Sequence, residues 1–299
     1  MRQLRSSYRN SDIPASSVVS VVGGINMDLI FETERIPDSG ESMDASSIAY
    51  LPGGKGANTA IALYRASHTK PSPSVKNYRD VEEESAVNGH NIRVFMNGSV
   101  GDDQFGKQLK ENLLGQNVDI SGVQTAAGNS GTCTVIVETL IQESRNVGYQ
   151  AANLEWKARD PESIDCLAGG GGKKPDLVIT HLGIPRERIV KVLRTATKAK
   201  VDTLLNPSPA HTLVSAVYKC VTHLVLNEQE AAHLSGRKYD ELRTPEAWET
   251  VSQEFIELGV KNVVITLAER GAYYATHDGK KGKIEAVPDV DVKDATGAG

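Results

Sequence analysis

Residues 17–26, SVVSVVGGIN, form a nearly continuous β-branched run, the pattern of a strand buried on both faces. Residues 27–51 break into short apolar pieces around Pro37 and Gly40, and Pro52 follows, which predicts short extended segments and turns. From Gly53 to Ser67 the glycines give way to Ala57, Ala60, Ile61, Leu63 and Tyr64, the mark of a glycine-rich loop opening a helix. Residues 67–91 are rich in Ser, Pro, Asn and Glu without periodicity and read as a surface insertion. Apolar order returns as a strand over 92–101, a helix within 101–116 and a strand over 131–140. Beyond the glycines of 169–172 the chain alternates regularly. A strand over 176–184 precedes a helix over 186–200, then a strand and turn over 201–210. A strand running into a helix follows over 222–236, then a helix over 247–260 and a strand with hairpin over 262–276. Strands alternating with helices of this length predict an α/β protein with a doubly wound, mostly parallel sheet flanked by helices. The polar residues 1–17 form a loose arm, and 18–299 one α/β domain. The turn-rich stretches near 28–51 and 132–150 interrupt the alternation and predict a small β lid over the main domain.

Composition narrows the function by exclusion. The 299 residues are 39% hydrophobic and 24% charged, with net charge −5 and an isoelectric point near 5.9. No basic field is available to hold nucleic acid or an anionic membrane, and no apolar run is long enough to span a bilayer. Cys133, Cys166 and Cys220 are scattered and odd in number, which fits a reducing, cytoplasmic setting, with the nucleus as an alternative. The seven histidines lack zinc-binding spacing and no Gly-x-Ser-x-Gly elbow occurs, arguing against zinc catalysis and against a hydrolase.

Four constellations remain. Asn26 and Asp28 follow the first strand and project to one side, at the strand end where open α/β sheets bind ligands. An amide and a carboxylate together suit vicinal hydroxyls, although Asn and Asp also serve as turn caps. Gly53-Gly54-Lys55-Gly56-Ala57-Asn58 lets backbone approach a ligand and ends at a helix N-terminus, with a simple helix cap as the alternative. It matches neither the phosphate-loop nor the dinucleotide pattern. Asn227 and Glu230 straddle the start of a helix, where the carboxylate either caps or holds Mg²⁺. The final Asp294-Ala295-Thr296-Gly297-Ala298-Gly299 offers small residues and consecutive N–H groups for an anion, or is a flexible tail.

In their order along the chain these motifs resemble the ribokinase (PfkB) family of carbohydrate kinases. The matching pieces are GGINMD (23–28), PGGKGAN (52–58), GDDQFG (101–106), NPSPA (206–210), LNEQEAAHLSG (226–236), ITLAERG (265–271) and DATGAG (294–299). The resemblance implies a ribokinase-like α/β fold with a small β lid, and ATP-dependent phosphorylation of a sugar's primary hydroxyl. It assigns the sugar to Asn26, Met27 and Asp28 with Gly54, Lys55, Gly56, Ala57 and Asn58. ATP is assigned to Asn206 and to Thr266, Leu267, Ala268, Glu269, Arg270 and Gly271. Mg²⁺ goes to Asn227 and Glu230, and a monovalent cation, K⁺ by expectation, to Asp294 and Thr296. The anion hole would be Gly297, Ala298 and Gly299, and the lid would pair with its copy in a homodimer.

Two departures stand out. The family's sugar-contacting Glu in the lid region aligns with Arg145, beside Asn146, which puts the identity of the sugar in question. The family's catalytic Asp directly follows the last glycine, and the sequence stops at Gly299. The expectation is that the C-terminal part of the family domain is absent, that these residues alone are nearly inactive, and that the polypeptide continues. Within the family, GGKGAN with Asn-x-Asp favours the ribokinase branch over fructokinases and adenosine kinases. A non-catalytic sugar- or nucleotide-binding protein on the same scaffold is the alternative from another class; a dehydrogenase is disfavoured by the missing GxGxxG.

Overall fold

The computed structural model describes residues 17–68, 92–141 and 143–288. Residues 69–91 of the insertion expected over 67–91 and the DATGAG run therefore lie outside the described residues, as do residues 1–16. Thirteen strands among the described residues form two sheets. The larger has nine: β1 (Ser17–Val22), β4 (Ile92–Gly101), β5 (Asp119–Ala126), β8 (Leu177–His181), β9 (Asp202–Asn206), β10 (His223–Asn227), β11 (Asn262–Thr266), β12 (Ala272–Thr276) and β13 (Lys281–Ile284). Their order is β13-β12-β11-β10-β9-β8-β1-β4-β5, parallel from β11 to β5 and antiparallel at β12 and β13. From β1 the chain proceeds outward through β4 and β5, then crosses to the other side of β1 and proceeds through β8 to β11. The winding direction therefore reverses beside β1, and at such a point the carboxyl ends of the strands leave a crevice open.

The β-branched run of β1 is continuous because both its faces are covered. Val19 and Val21 belong to one buried cluster, while Val22 belongs to the other. The same alternation separates Ile179 from Val178 on β8, and Leu204 from Leu205 on β9. One face carries α1 (Lys55–Ser67) and α2 (Gln104–Gly115), through Ala57, Ala60, Leu109 and Leu113. The other carries α3 (Arg186–Lys198), α4 (Glu228–Ser235) and α5 (Pro245–Glu257), through Leu193, Ala231 and Trp248. Strand β5 and the 3₁₀ turns Ala151–Leu154 and Ile164–Ala168 had no counterpart in the sequence reading. Their apolar residues are too sparse and interrupted to show a period.

The second sheet has the order β3-β2-β6-β7, from β2 (Asn26–Thr33), β3 (Ser47–Gly53), β6 (Gly131–Glu138) and β7 (Glu143–Tyr149). It is the small β unit predicted from the two turn-rich stretches. Its register matters: Asp28 lies between Leu51 on β3 and Cys133 on β6, with Gly148 beyond, so these four residues share one face.

Leu205 is fully buried immediately before Asn206 at the end of β9. Leu205→Ala should lower unfolding free energy by about 2–5 kcal/mol, because the sheet cannot collapse into the gap. Urea unfolding of wild type and variant measures the difference.

Candidate active site

The site grows out of one backbone contact. The amide of Gly56 donates to the carbonyl of Gly24 at 3.1 Å, and that of Ala57 reaches the same oxygen at 3.4 Å. This packs the start of α1 onto the turn after β1. A Cβ on Gly56 would lie 2.7 Å from the Gly23 carbonyl carbon, and one on Gly54 would lie 2.6 Å from the Asn26 nitrogen. Gly54 also has φ +90°, outside the range that side-chain-bearing residues adopt comfortably. The glycine spacing thus answers to protein backbone first. The sequence had suggested free amides at this helix start for a ligand, but two of them are engaged by Gly24. What the loop has left to offer is the side chains of Lys55 and Asn58, both partly exposed.

Asp28 stands over this loop. A Cβ on Gly53 would sit 2.1 Å from Asp28 Oδ2, so only glycine leaves room for the carboxylate. No donor among the described residues hydrogen-bonds Asp28, and burial raises its pKa from the ordinary 3.8 to about 6. A partly buried carboxylate without a partner, in a cleft, is the kind of group a ligand's donors complete.

Asn26 is held rather than free. Asn153, fully buried on the first 3₁₀ turn, donates from Nδ2 to Asn26 Oδ1 at 2.7 Å and to the Ile25 carbonyl at 3.2 Å. Its Oδ1 accepts the Ile25 amide at 2.9 Å. Asn153 therefore sets both the backbone and the side chain that precede Asp28. Nothing in the sequence pattern marks it: it lies 128 residues from Ile25, in a stretch without period. Met27, expected to touch the sugar, is 1% exposed and packs in the core, because strand alternation turns it away from Asn26 and Asp28.

The remaining expected residues line the same carboxyl edge. His181 and Asn206 end adjacent strands in register, and Asn227 and Thr266 do the same two strands further on. Asn206 donates from Nδ2 to the Val225 carbonyl at 2.9 Å. Asn227 and Glu230 form a reciprocal capping box: Asn227 Oδ1 accepts the Glu230 amide at 2.8 Å, and Glu230 Oε2 accepts the Asn227 amide at 3.0 Å. The cap reading is realised, and Glu230 Oε1 stays outside it. Thr266 to Gly271 form a tight loop between β11 and β12, closed by the Leu267 amide on the Gly271 carbonyl at 2.8 Å. Leu267 is fully buried in the core, while the Glu269 side chain is exposed. Arg270 pairs with the buried Glu228 and lies 5.5 Å over the Trp248 ring, whose Nε1 donates to Glu228 Oε1 at 3.2 Å. Glu228 is a second residue the sequence reading passed over, although it directly follows Asn227.

Arg145 belongs elsewhere. It faces Ile136 on β6, three register positions from Cys133, so it is displaced about 10 Å along the strand from Asp28. Its guanidinium sits 3.5 Å from Glu138. Among the described residues no cluster of three metal-ligating side chains occurs, and no helix is long and apolar enough to cross a membrane.

A winding reversal beside β1, a carboxylate without a donor among the described residues and a loop that only glycine permits meet at one end of the central sheet. The pfkB family carbohydrate kinase model matches residues 16–299, and the chain belongs to that family. It is 31% identical over 291 residues to a ribokinase of Schizosaccharomyces pombe, covering 94% of this chain and 81% of that protein. A Lactococcus lactis ribokinase is 28% identical, with 94% and 79% covered. The Arabidopsis thaliana ribokinase structure complexed with ribose and ATP superposes with a TM-score of 0.75 at 24% identity, covering 95% of this chain and 82% of that one.

Two predictions follow from this geometry. A carboxyl group with a folded-state pKa above its unfolded value favours folding below the unfolded value and loses that contribution as pH rises through about 6. At pH 8 the ionised Asp28 therefore costs stability, and Asp28→Asn should raise ligand-free unfolding free energy by about 1–2 kcal/mol. Thermal melts at pH 8 and pH 5 test it, with the gain shrinking at the lower pH. Asn153→Ala should instead destabilise, by about 1–3 kcal/mol for each buried group left unpaired. Denaturant midpoints read that loss.

Proposed function

We propose that the protein transfers the γ-phosphoryl group of ATP to the primary hydroxyl of a pentose, with D-ribose as the first candidate. The observation that carries this reading is Asp28: a partly buried carboxylate without a donor among the described residues, set on a loop that only glycine permits. Sugar hydroxyls supply the donors it lacks. Lys55 and Asn58 supply further polar contacts, and Asn26 is aimed by Asn153. The curated relatives named ribokinase support ribose, and a Salmonella typhi deoxyribokinase at 27% identity makes 2-deoxyribose the second candidate.

The nucleotide would lie along Asn206 and the Thr266–Gly271 loop, on the far side of the same strand ends. Mg²⁺ fits Glu230 Oε1, since this cation keeps several waters and takes few protein oxygens. It would supply charge neutralisation on the phosphates, while the chain's own groups position the acceptor hydroxyl. A monovalent cation at Asp294 and Thr296, and an anion hole at Gly297, Ala298 and Gly299, complete the reading from the family resemblance. The free thiols Cys133, Cys166 and Cys220 fit a reducing cytoplasm. The small sheet exposes Ile48 and Tyr50 on β3 and Val147 and Tyr149 on β7, on the face away from Asp28, and a second copy of the chain is the proposed cover. Light scattering of the protein should then give a dimer mass that Tyr50→Lys lowers towards the monomer.

The decisive assay is ATP-dependent phosphorylation of ribose, 2-deoxyribose, fructose and adenosine by the full-length protein. The proposal expects a pentose to be turned over with the highest kcat/KM, and Asp28→Ala to lower that value by roughly 10²-fold or more. Absence of transfer to every sugar would sink it. Sugar donors bind the ionised carboxylate, so affinity should weaken as pH falls through about 6 and the free protein's Asp28 takes up a proton. Calorimetric titration between pH 5 and 8 should show this in wild type and a flat profile in Asp28→Asn.

A further inference from the structure

Between the two proposed ligand subsites lies a buried imidazole that neither of them uses. His181 ends β8, is 5% exposed, and packs against Gly23, where a Cβ would come within 3.2 Å of the His181 ring. Its Nε2 is 2.9 Å from Thr59 Oγ1, on the helix that begins with the sugar loop and one residue beyond Asn58. Its Nδ1 is 3.1 Å from Asn206 Oδ1, on the nucleotide side.

The network determines the protons. Asn206 Nδ2 donates to the Val225 carbonyl, so Oδ1 is the atom presented to His181 and can only accept. Nδ1 must therefore carry the hydrogen, and Nε2 accepts from the Thr59 hydroxyl. Burial, opposed by the Asn206 hydrogen bond and helped by the positive Lys55 nearby, lowers the His181 pKa to about 4, so the ring stays neutral in this one tautomer. Every link in Thr59–His181–Asn206–Val225 thus has a single direction. Both ring nitrogens are engaged and the side chain is 5% exposed, which holds the ring in this orientation.

Resting on the proposed sugar and nucleotide subsites, we propose that His181 is a positioning residue that couples them. Thr59 moves with the sugar loop and Asn206 belongs to the nucleotide side, so ordering either end through this chain orders the other. Occupancy of one subsite then raises affinity at the second, as any shared ordering requires. His181 itself touches neither ligand.

The chain can be cut at either link without emptying the site. In His181→Gln the side-chain amide takes the place of Nε2, keeping Thr59 and losing Asn206. In His181→Asn it takes the place of Nδ1, keeping Asn206 and losing Thr59. Thr59→Val removes the hydroxyl alone. Calorimetry would measure D-ribose affinity with and without a non-hydrolysable ATP analogue and Mg²⁺, and analogue affinity with and without ribose. Wild type should show a reciprocal enhancement of about 5-fold or more. All three variants should lose most of it while each ligand alone keeps its affinity within about 3-fold. Melting temperatures taken alongside confirm that the variants are folded. Wild-type coupling that survives in either His181→Gln or His181→Asn overturns the proposal, as does a wild type in which ribose and analogue bind independently. A wild type that binds neither probe overturns the functional reading as well, a result distinct from independent binding.

Discussion

The architecture of the site depends on two backbone segments lying closer than side chains would allow. The Gly56 amide on the Gly24 carbonyl clamps the start of α1 to the end of the central strand. The strand leading to Asp28 leaves from one side of that clamp, and the loop with Lys55 and Asn58 from the other. Gly23, Gly53, Gly54 and Gly56 each occupy a place where a Cβ would come within 3.0 Å of a neighbouring atom. Removing a single methyl's worth of space at any of them would part the segments and separate the carboxylate from the loop. The winding reversal beside β1 provides the crevice, and the glycine contact determines what stands in it.

Much of this was legible from residues alone, for a physical reason. Buried parallel strands must be apolar on both faces, so β1, β8, β10 and β11 announce themselves as continuous runs. Asn227 could be read from the residues at the end of such a run, whereas Asn206 and Thr266 were marked only by the family resemblance. Glycines forced by close approach leave a trace as well. Illegible were residues whose work is tertiary. Asn153 reaches Ile25 and Asn26 across 128 and 127 positions, from an irregular turn. His181 reads as the polar end of a strand, and nothing local says that its ring joins Thr59 to Asn206. Arg145 was placed by sequence register against a lid motif; the strand pairing sets it opposite Ile136, with its guanidinium 3.5 Å from Glu138. Met27 shows the converse error, since a motif read as a string ignores that alternate strand residues face opposite ways.

The two halves of the crevice treat charge differently. On the side proposed for the nucleotide Arg270 is paired with Glu228, stacked over Trp248 and joined to a helix start whose own cap is closed. Arg270 and Glu228 are thus each other's counterparts within the protein, and the Thr266–Gly271 loop is closed by the Leu267 amide on the Gly271 carbonyl. On the side proposed for the sugar, Asp28 has no counterpart among the described residues. That asymmetry fits what each side is proposed to hold. A polyanion brings surplus acceptors and charge, so its subsite needs rigid, pre-formed geometry that does not collapse onto it. A neutral polyol brings only hydroxyls, and a carboxylate already satisfied by the protein would have little left to offer them. Leaving Asp28 without a donor among the described residues costs stability in the empty protein. On the proposed reading a polyol's hydroxyls would recover that cost on binding, so that the energy withheld in the fold goes into recognition.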